Sequence, residues 1–369
     1  MAERPPLLPD LFRMVVKMIV GGILVIGLFS CGVGVVAGAG AGASGKTAVK
    51  TPVSKTVYGE KDSENAILRV DIKGPILTHP PADEGSNFFS SIQAVTYGYE
   101  VKQQLLDAAK NDKVKAVMLF VTTPGGSIVG SEAIHDGVLA VKAAGKPIIA
   151  HVDTLSASGG VWSTAAADKI FADEGSLIGS VGVIFGNFLY FDDPVAIDGG
   201  LFGTGITTRG GIKSTVIAAS EGKDLGNPFR PMTEREKSLL EATAKEFYDK
   251  FLDHVTSNRP LKREALVGEY GAMVFGNDIA QQHGYIDGTK TYQETLAYIA
   301  GEIGAEGDDW KLVSPPEIEK STLEKMFGAT LAAIGTGRLE AAHQAAVCGE
   351  LKSGPVALSA QSMTSLCGL

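Results

Sequence analysis

Histidine and cysteine are scarce: six and three residues among 369. Three cysteines leave room for one intrachain disulfide at most. Cys31 falls in an apolar segment, while Cys348 and Cys367 stand 19 positions apart near the C-terminus. In an oxidising compartment such a pair would close a terminal loop; elsewhere they would be two separate thiols. Positive charge is also short. Lys and Arg total 33 against 42 Asp and Glu, a net charge of −9. That balance lacks the basic excess that polyanion recognition requires, so no nucleic-acid partner is expected. No internal repeat is present. The remaining composition, 44% hydrophobic and 20% charged, is that of a globular protein. The length suits one large domain or two modest ones.

One stretch lacks charge altogether, Met18 to Ala43, which is 26 residues. A helix crosses a bilayer with about 20 apolar residues. A signal peptide has an apolar region of only about 7–15 residues, although Ala-Gly-Ala-Ser near the end resembles a cleavage site. A lipoprotein signal through Leu28-Phe29-Ser30-Cys31 fits poorly because of Phe29. A retained transmembrane anchor over 18–43 is therefore expected, after a short cytoplasmic N-terminus, 1–17. Arg4, Arg13 and Lys17 precede the span and Lys46, Lys50 and Lys55 follow it, so the Lys/Arg bias does not orient it. A short charged N-terminus before a first span usually stays inside, which puts the bulk of the chain outside the cytoplasm. Gly34, Gly38 and Gly42 recur every four residues. They line either a face for a second helix or a loosely packed helix end.

A polar linker, 44–65, comes next. Ala66 to Gly74 alternates as a strand does, and Tyr99 to Asn111 has helical spacing. Val114 to Val121 is apolar enough for a strand buried on both faces. A sharp turn, Thr122 to Ser127, leads to a helix over Ser131 to Ala144, closed by Gly145. Pro147 to Val152 reads as another buried strand, followed by Ser156-Ala-Ser-Gly-Gly160, a helix through Ala167 and a short strand, Lys169 to Asp173. Strands alternating with helices argue for a parallel sheet in an α/β fold. Ligands of such sheets sit beyond the C-terminal strand ends, where both glycine turns lie. Further on, Thr233 and Glu236 form a capping box. Leu240, Ala244, Phe247, Phe251 and Val255 then make one face of a long helix.

The chemistry centres on the Ser-Gly-Gly turn. A serine hydroxyl becomes a useful nucleophile once a base takes its proton, and acyl transfer also needs two donors for the oxyanion. Ser158 stands at the strand-to-helix turn, and the amide of Gly159 opens the helix. Gly126, in the Pro124-Gly125-Gly126 turn, offers the second amide. Ser156 is the rival nucleophile, but it lies nearer the strand and lacks following glycines. No His or Asp stands beside the turn as in the familiar triads. His151, on the strand leading in, is expected to be packed or hydrogen-bonded. Lysine is the other base, provided burial lowers its pKa from about 10.4. Lys213, in Gly210-Gly-Ile-Lys-Ser214, has the least charged setting. Lys223 has acidic neighbours, and Lys169 ends a helix as a dipole-satisfying cation does.

The ordered set "VKAVMLFVTTPGGS", "GKPIIAHVDTLSASGG", "AAADKIFADEGSLIGSVGVIF", "GIKS" and "PFRPMTEREK" resembles the S49 signal peptide peptidases of the SppA type, in their short single-unit form. The likeness runs from about Ala66 to Gly288. It implies a Clp/crotonase-like α/β fold with a parallel sheet and a membrane-anchored serine protease with a Ser/Lys dyad. On this chain the nucleophile would be Ser158, the general base Lys213, and the oxyanion donors Gly126 and Gly159. It further implies a dome-shaped homo-oligomeric ring in which the lysine of one protomer completes its neighbour's site. The expected substrates are cleaved signal peptides or other membrane-associated or unfolded polypeptides, with no cofactor and no metal. The expected location is the bacterial inner membrane, with the soluble domain in the periplasm. The related Clp peptidases use a histidine after the serine helix, and "GSLIGSVGVIFGNFLYF" holds none. Two departures stand out: Thr215 to Gly222 lengthen the loop after "GIKS", and Trp162 stands where the family often has Tyr. The peptidase domain is assigned to 66–300, with a C-terminal extension over 301–369.

Overall fold

Three strands of eight to ten residues form the centre of a sheet covered on both faces. The computed structural model describes residues 54–80, 94–185, 188, 222–315, 348–349 and 355–358. They belong to the compact unit Pro52–Leu369. The expected span over 18–43, Lys213 and Cys367 lie outside the described residues. Among the described residues, no helix is long and apolar enough to cross a membrane.

In chain order the elements are β1 (Thr56–Gly59), β2 (Ala66–Lys73), β3 (Ile76–Leu77), β4 (Thr96–Tyr97), α1 (Gly98–Lys110), β5 (Val114–Thr123), β6 (Gly125–Ser127) and α2 (Ile128–Ala143). There follow β7 (Ile148–Ala157), α3 (Gly159–Thr164), β8 (Lys169–Ala172), β9 (Leu177–Gly179) and β10 (Ile184–Phe185). The rest include α4 (Glu234–Asn258), β11 (Val274–Phe275), α5 (Asn277–His283), β12 (Gly288–Thr289), α6 (Tyr292–Glu302), β13 (Lys311–Val313) and β14 (Pro355–Leu358), with two short helical turns over Arg263–Ala265 and Leu266–Tyr270 before β11.

Nine strands among the described residues form the larger sheet, in the order β1-β13-β2-β5-β7-β8-β12, with β9 beside β7 and β11 beside β9. The inner pairings are parallel. Only β1 and β11 join antiparallel. The expected α/β class with a mostly parallel sheet is thus observed. Alternate residues of each strand feed two cores, as a parallel sheet with helices on both faces requires. Val70, Leu119 and Val152 meet Leu105 of α1 and Ile134 and Val138 of α2. Ile67, Met118 and Ile149 meet Leu296 and Ile299 of α6. A second sheet runs β10-β14-β6-β3-β4. Two strands that the sequence places in the extension, β13 and β14, are therefore members of the two sheets.

The structure redraws some local expectations. The apolar strand from Pro147 does not stop at Val152 but continues to Ala157, and the Thr122–Ser127 turn contains the short strand β6. Helix α4 opens with the expected capping box: Thr233 accepts from the Glu236 amide, and Glu236 accepts from the Thr233 amide. Arg230 donates to both Asp224 and Glu236. These hydrogen bonds hold each carboxyl down at about 2. Only the C-terminal half of α4 enters the core, with Phe251, Leu252 and Val255 at 0% exposure and Leu239 at 60%. Phe251→Ala is accordingly expected to lower the unfolding free energy by about 3–5 kcal/mol in denaturant titration. Leu239→Ala, on the exposed face, is expected to stay within about 0.5 kcal/mol of the parent.

Candidate active site

The candidate nucleophile follows a strand that changes neighbours. The first half of β7, Ile149 to Val152, pairs with β8, and its last residues, Leu155 to Ala157, pair with β9. On the opposite edge Val121 faces Val152 while Thr123 faces Ser156. Two steps along β5 thus correspond to four along β7. Such a bulge bends the strand and re-aims whatever follows it.

Ser158 follows directly. Its amide extends the β7–β9 ladder, donating to the Gly179 carbonyl at 2.8 Å. Its own carbonyl accepts from the Trp162 amide at 3.0 Å, the first bond of α3. Between these two bonds the backbone reverses, with φ 54° and ψ −109°. A non-glycine residue held there costs about 1–3 kcal/mol and persists only where its surroundings enforce it. A strained serine between a strand and a helix is the geometry of a nucleophile elbow. The side chain is fully buried, and Oγ donates to the Gly182 carbonyl at 3.4 Å. Gly159 is the first residue of α3, where an amide has no partner within the helix. Gly160 lets α3 sit close to β5, since a Cβ there would stand 2.6 Å from Thr123 Cγ2.

The second glycine turn is adjacent, because α3 packs against β6. Thr123 ties the turn down: its hydroxyl donates to the Gly74 carbonyl at 2.6 Å and accepts from the Gly125 amide at 3.1 Å. Gly126 pairs with Ile76 of β3, and a Cβ on Gly126 would collide with the Ile76 carbonyl oxygen. Ser158, Gly159 and Gly126 thus lie in neighbouring elements at the strand ends. Ser156 sits within β7 at 2% exposure.

No histidine or lysine among the described residues is hydrogen-bonded to Ser158 Oγ. His151 is fully buried, with Nδ1 2.9 Å from Thr295 Oγ1 and Nε2 3.2 Å from Asp173 Oδ2. This is the packed role expected for it. Lys169 pairs with Asp287 at 3.4 Å, and Lys223 is exposed. Cys348 is buried and disulfide-bonded. The expected partner, Cys367, is outside the described residues.

Two supports of the site escaped the sequence reading. One is the wall from Gly179 to Gly182, which takes hydrogen bonds from Ser158; its signal was the recurrence of glycine in "LIGSVG". The other is a set of partners for α3. The Trp162 indole donates to Glu132 Oε2 at 2.6 Å, and its ring packs on Phe251 and on His254, with centroids 4.7 and 4.8 Å away. His254 Nε2 lies 2.9 Å from the Trp162 carbonyl. Residues 30 and 92 positions away leave no local pattern to read. His135 packs edge-on to His254, with centroids 4.2 Å apart.

Burial, and then the neighbouring His254, pushes His135 down to about 4. Burial lowers His151 and His254 as well.

Residues 140–305 match the family described as Peptidase family S49. The chain is similar to a candidate protease of Methanocaldococcus jannaschii, with 32% identity over 61% of this chain and 66% of that protein. It is 27% identical to Protease 4 of Haemophilus influenzae over 63% of this chain and 34% of the relative. It is also 27% identical to a candidate signal peptide peptidase SppA of Enterococcus faecium, over 64% of this chain and 66% of the relative. The matched region thus spans from about a third to just under two thirds of the lengths of these relatives. Among solved structures, a membrane-bound stomatin-specific protease aligns with TM-score 0.37 at 14% identity, over 63% of this chain and 84% of that one. ClpP1 of Listeria monocytogenes aligns with TM-score 0.37 at 12% identity, over 63% and 95%.

Two outcomes follow from the geometry. Glycine tolerates the backbone of position 158, whereas alanine keeps its strain. Ser158→Gly is therefore expected to unfold at a free energy about 1 kcal/mol above Ser158→Ala in urea titration. His135, His151 and the half-buried His254 bind protons more readily in the unfolded chain, so stability is expected to fall as pH drops below about 6.5 and to be level in this respect above it. Thermal melts at pH 7.5 and 5.5 measure that decline, and His135→Gln is expected to make it shallower.

Proposed function

Because the chain belongs to peptidase family S49, we propose that it is a serine endopeptidase working through a Ser158/Lys213 dyad on peptide bonds of cleaved signal peptides or other membrane-associated polypeptides. The observation that carries this reading is the strained, clamped backbone of Ser158 at the end of β7, beside the Gly125–Ser127 turn. A buried serine serving only as core filler has no need of that conformation.

In the proposed reaction Ser158 Oγ attacks the carbonyl carbon of the scissile bond. Its proton passes to the neutral amine of Lys213, which then protonates the leaving amine. The oxyanion formed on the attacked carbonyl receives the amides of Gly126 and Gly159, where such donors act most strongly. Water then hydrolyses the acyl-enzyme, with Lys213 again taking the proton. A lysine can do this near neutral pH only if its pKa is lowered well below about 10.4 by a dry, weakly charged setting. The flanking sequence Gly210-Gly-Ile-Lys-Ser214 is compatible with that demand.

The same reading includes a Clp/crotonase-like arrangement, a single N-terminal span over 18–43 in the inner membrane, and a periplasmic catalytic domain. It also includes a homo-oligomeric ring in which Lys213 of one protomer serves Ser158 of the next. Signal peptides and unfolded chains are the substrates, and the Cys348–Cys367 pair is the disulfide.

Ser158→Ala and Lys213→Ala are each expected to lower kcat/KM on an unfolded protein about a thousandfold or more. Full activity in either variant would overturn the dyad. Mixing the two variants is expected to restore part of the activity if the site is shared between protomers. Protease added to spheroplasts is expected to digest the catalytic domain, which a cytoplasmic domain would resist.

A further inference from the structure

A cavity of about 660 Å³ opens between α2 and the C-terminal half of α4. That volume falls in the range of ligand clefts, roughly 300–1,000 Å³. Ile128 and Val129, which directly follow β6, line it, and so does Trp162, one helical turn along α3 from Ser158. From Gly126 to Val129 is at most about 11 Å of chain. A peptide whose carbonyl meets the Gly126 amide has side chains only a few residues away within reach of this cavity.

The walls combine aromatic rings with one uncompensated carboxylate. Tyr99, Phe247 and His254 join Trp162 in the lining. Glu132 stands among them, its Oε2 held by the Trp162 indole at 2.6 Å. The other charged groups of the lining are already paired: Asp136 with Lys102, Asp253 with Arg263, and Lys250 with Glu246. No Lys or Arg among the described residues forms an ion pair with Glu132. Burial lowers the pKa of His254, so the imidazole is neutral near pH 7 and supplies no counter-charge. A carboxylate fixed beside aromatic rings attracts a cation twice, through its own charge and through the ring faces. An anionic ligand is repelled there, and an apolar one leaves Glu132 unpaired. The net charge of −9 favours a cationic ligand over the whole chain as well.

We propose that this cavity is a subsite for a basic side chain, Lys or Arg, of the peptide substrate, with Glu132 as the residue that selects it. This deepens the peptidase reading and rests on it for the roles of Ser158 and Gly126. Signal peptides begin with a positively charged region, followed by their apolar run. A basic residue seated at Glu132 puts the scissile bond within about four residues after it, near the start of that run.

The test uses two acetylated peptides, each with a Leu/Ala run and a polar tail. One begins with Lys-Lys and the other with Gln-Gln. The parent chain is expected to cleave the Lys peptide with kcat/KM about tenfold higher, through KM, as suits a partly exposed charge pair with a ring contact. Mass spectrometry of the products is expected to place the cut within about four residues after the Lys pair. Glu132→Gln keeps an acceptor for the Trp162 indole and removes the charge, and circular dichroism checks its fold. It is expected to bring the Lys/Gln ratio to about one. A ratio that stays tenfold in Glu132→Gln, or both peptides falling in proportion, would overturn the proposal; so would equal cleavage by the parent. A second arm needs no turnover. Fluorescein-labelled forms of both peptides are titrated by anisotropy against Ser158→Ala, with and without Glu132→Gln. The Lys peptide is expected to bind about tenfold tighter, less so at high salt, and to lose this advantage with Glu132→Gln. Were the parent to cleave neither peptide, the peptidase reading would fail, while the anisotropy ratio would still decide the subsite.

Discussion

Two hydrogen bonds, one on either side of a single residue, hold the site together. The Ser158 amide is committed to Gly179, and the Ser158 carbonyl to the Trp162 amide. The first belongs to a strand ladder and the second to a helix. Ser158 joins the two in a positive-φ conformation that L residues rarely adopt. The cost is met by what surrounds it: β7 pinned between β5 and β9, α3 pressed on β5 through Gly160, and Trp162 locked by Glu132, Phe251 and His254. A rigid scaffold of this kind holds the Ser158 backbone in place without the help of a flexible loop.

The rest of the architecture serves that turn from a distance. Parallel pairing of β2, β5 and β7 brings the strand ends, and so both glycine turns, to one edge of the sheet. The bulge in β7 detaches its last three residues from β8 and gives them to β9. This brings the Gly179–Gly182 wall against Ser158. Helix α4 reaches under α3 only with its C-terminal half, and its N-terminal half is anchored by its own cap and by Arg230. The histidines near this region are consumed by packing: His151 by Thr295 and Asp173, His254 by the Trp162 carbonyl. Their role in the described structure is to fill and join.

Much of this was legible because it is local. An apolar run such as Val114 to Val121 announces a buried strand, since a sheet covered on both faces leaves no polar side. Thr233 and Glu236 announce a helix start, since their partners are three residues away. The Pro-Gly-Gly and Ser-Gly-Gly turns announce close backbone approach, which Gly126 confirms against Ile76. The end of β7 was not legible. Asp153 to Ala157 carries polar residues, and its strand character comes from β9, which lies more than 20 residues further on.

The alternation of strand and helix and the two glycine turns were set by the sequence alone, because each depends on residues within one turn or one strand of one another. Tertiary structure alone decided which strands would be neighbours. It placed β13 beside β2, gave His151 a partner 144 residues away, and laid β14 along Gly126. The physical reason is the nature of a β ladder. Its hydrogen bonds join main-chain groups common to every residue, so a sequence states that a segment can be a strand and leaves its partner to the packing of the whole.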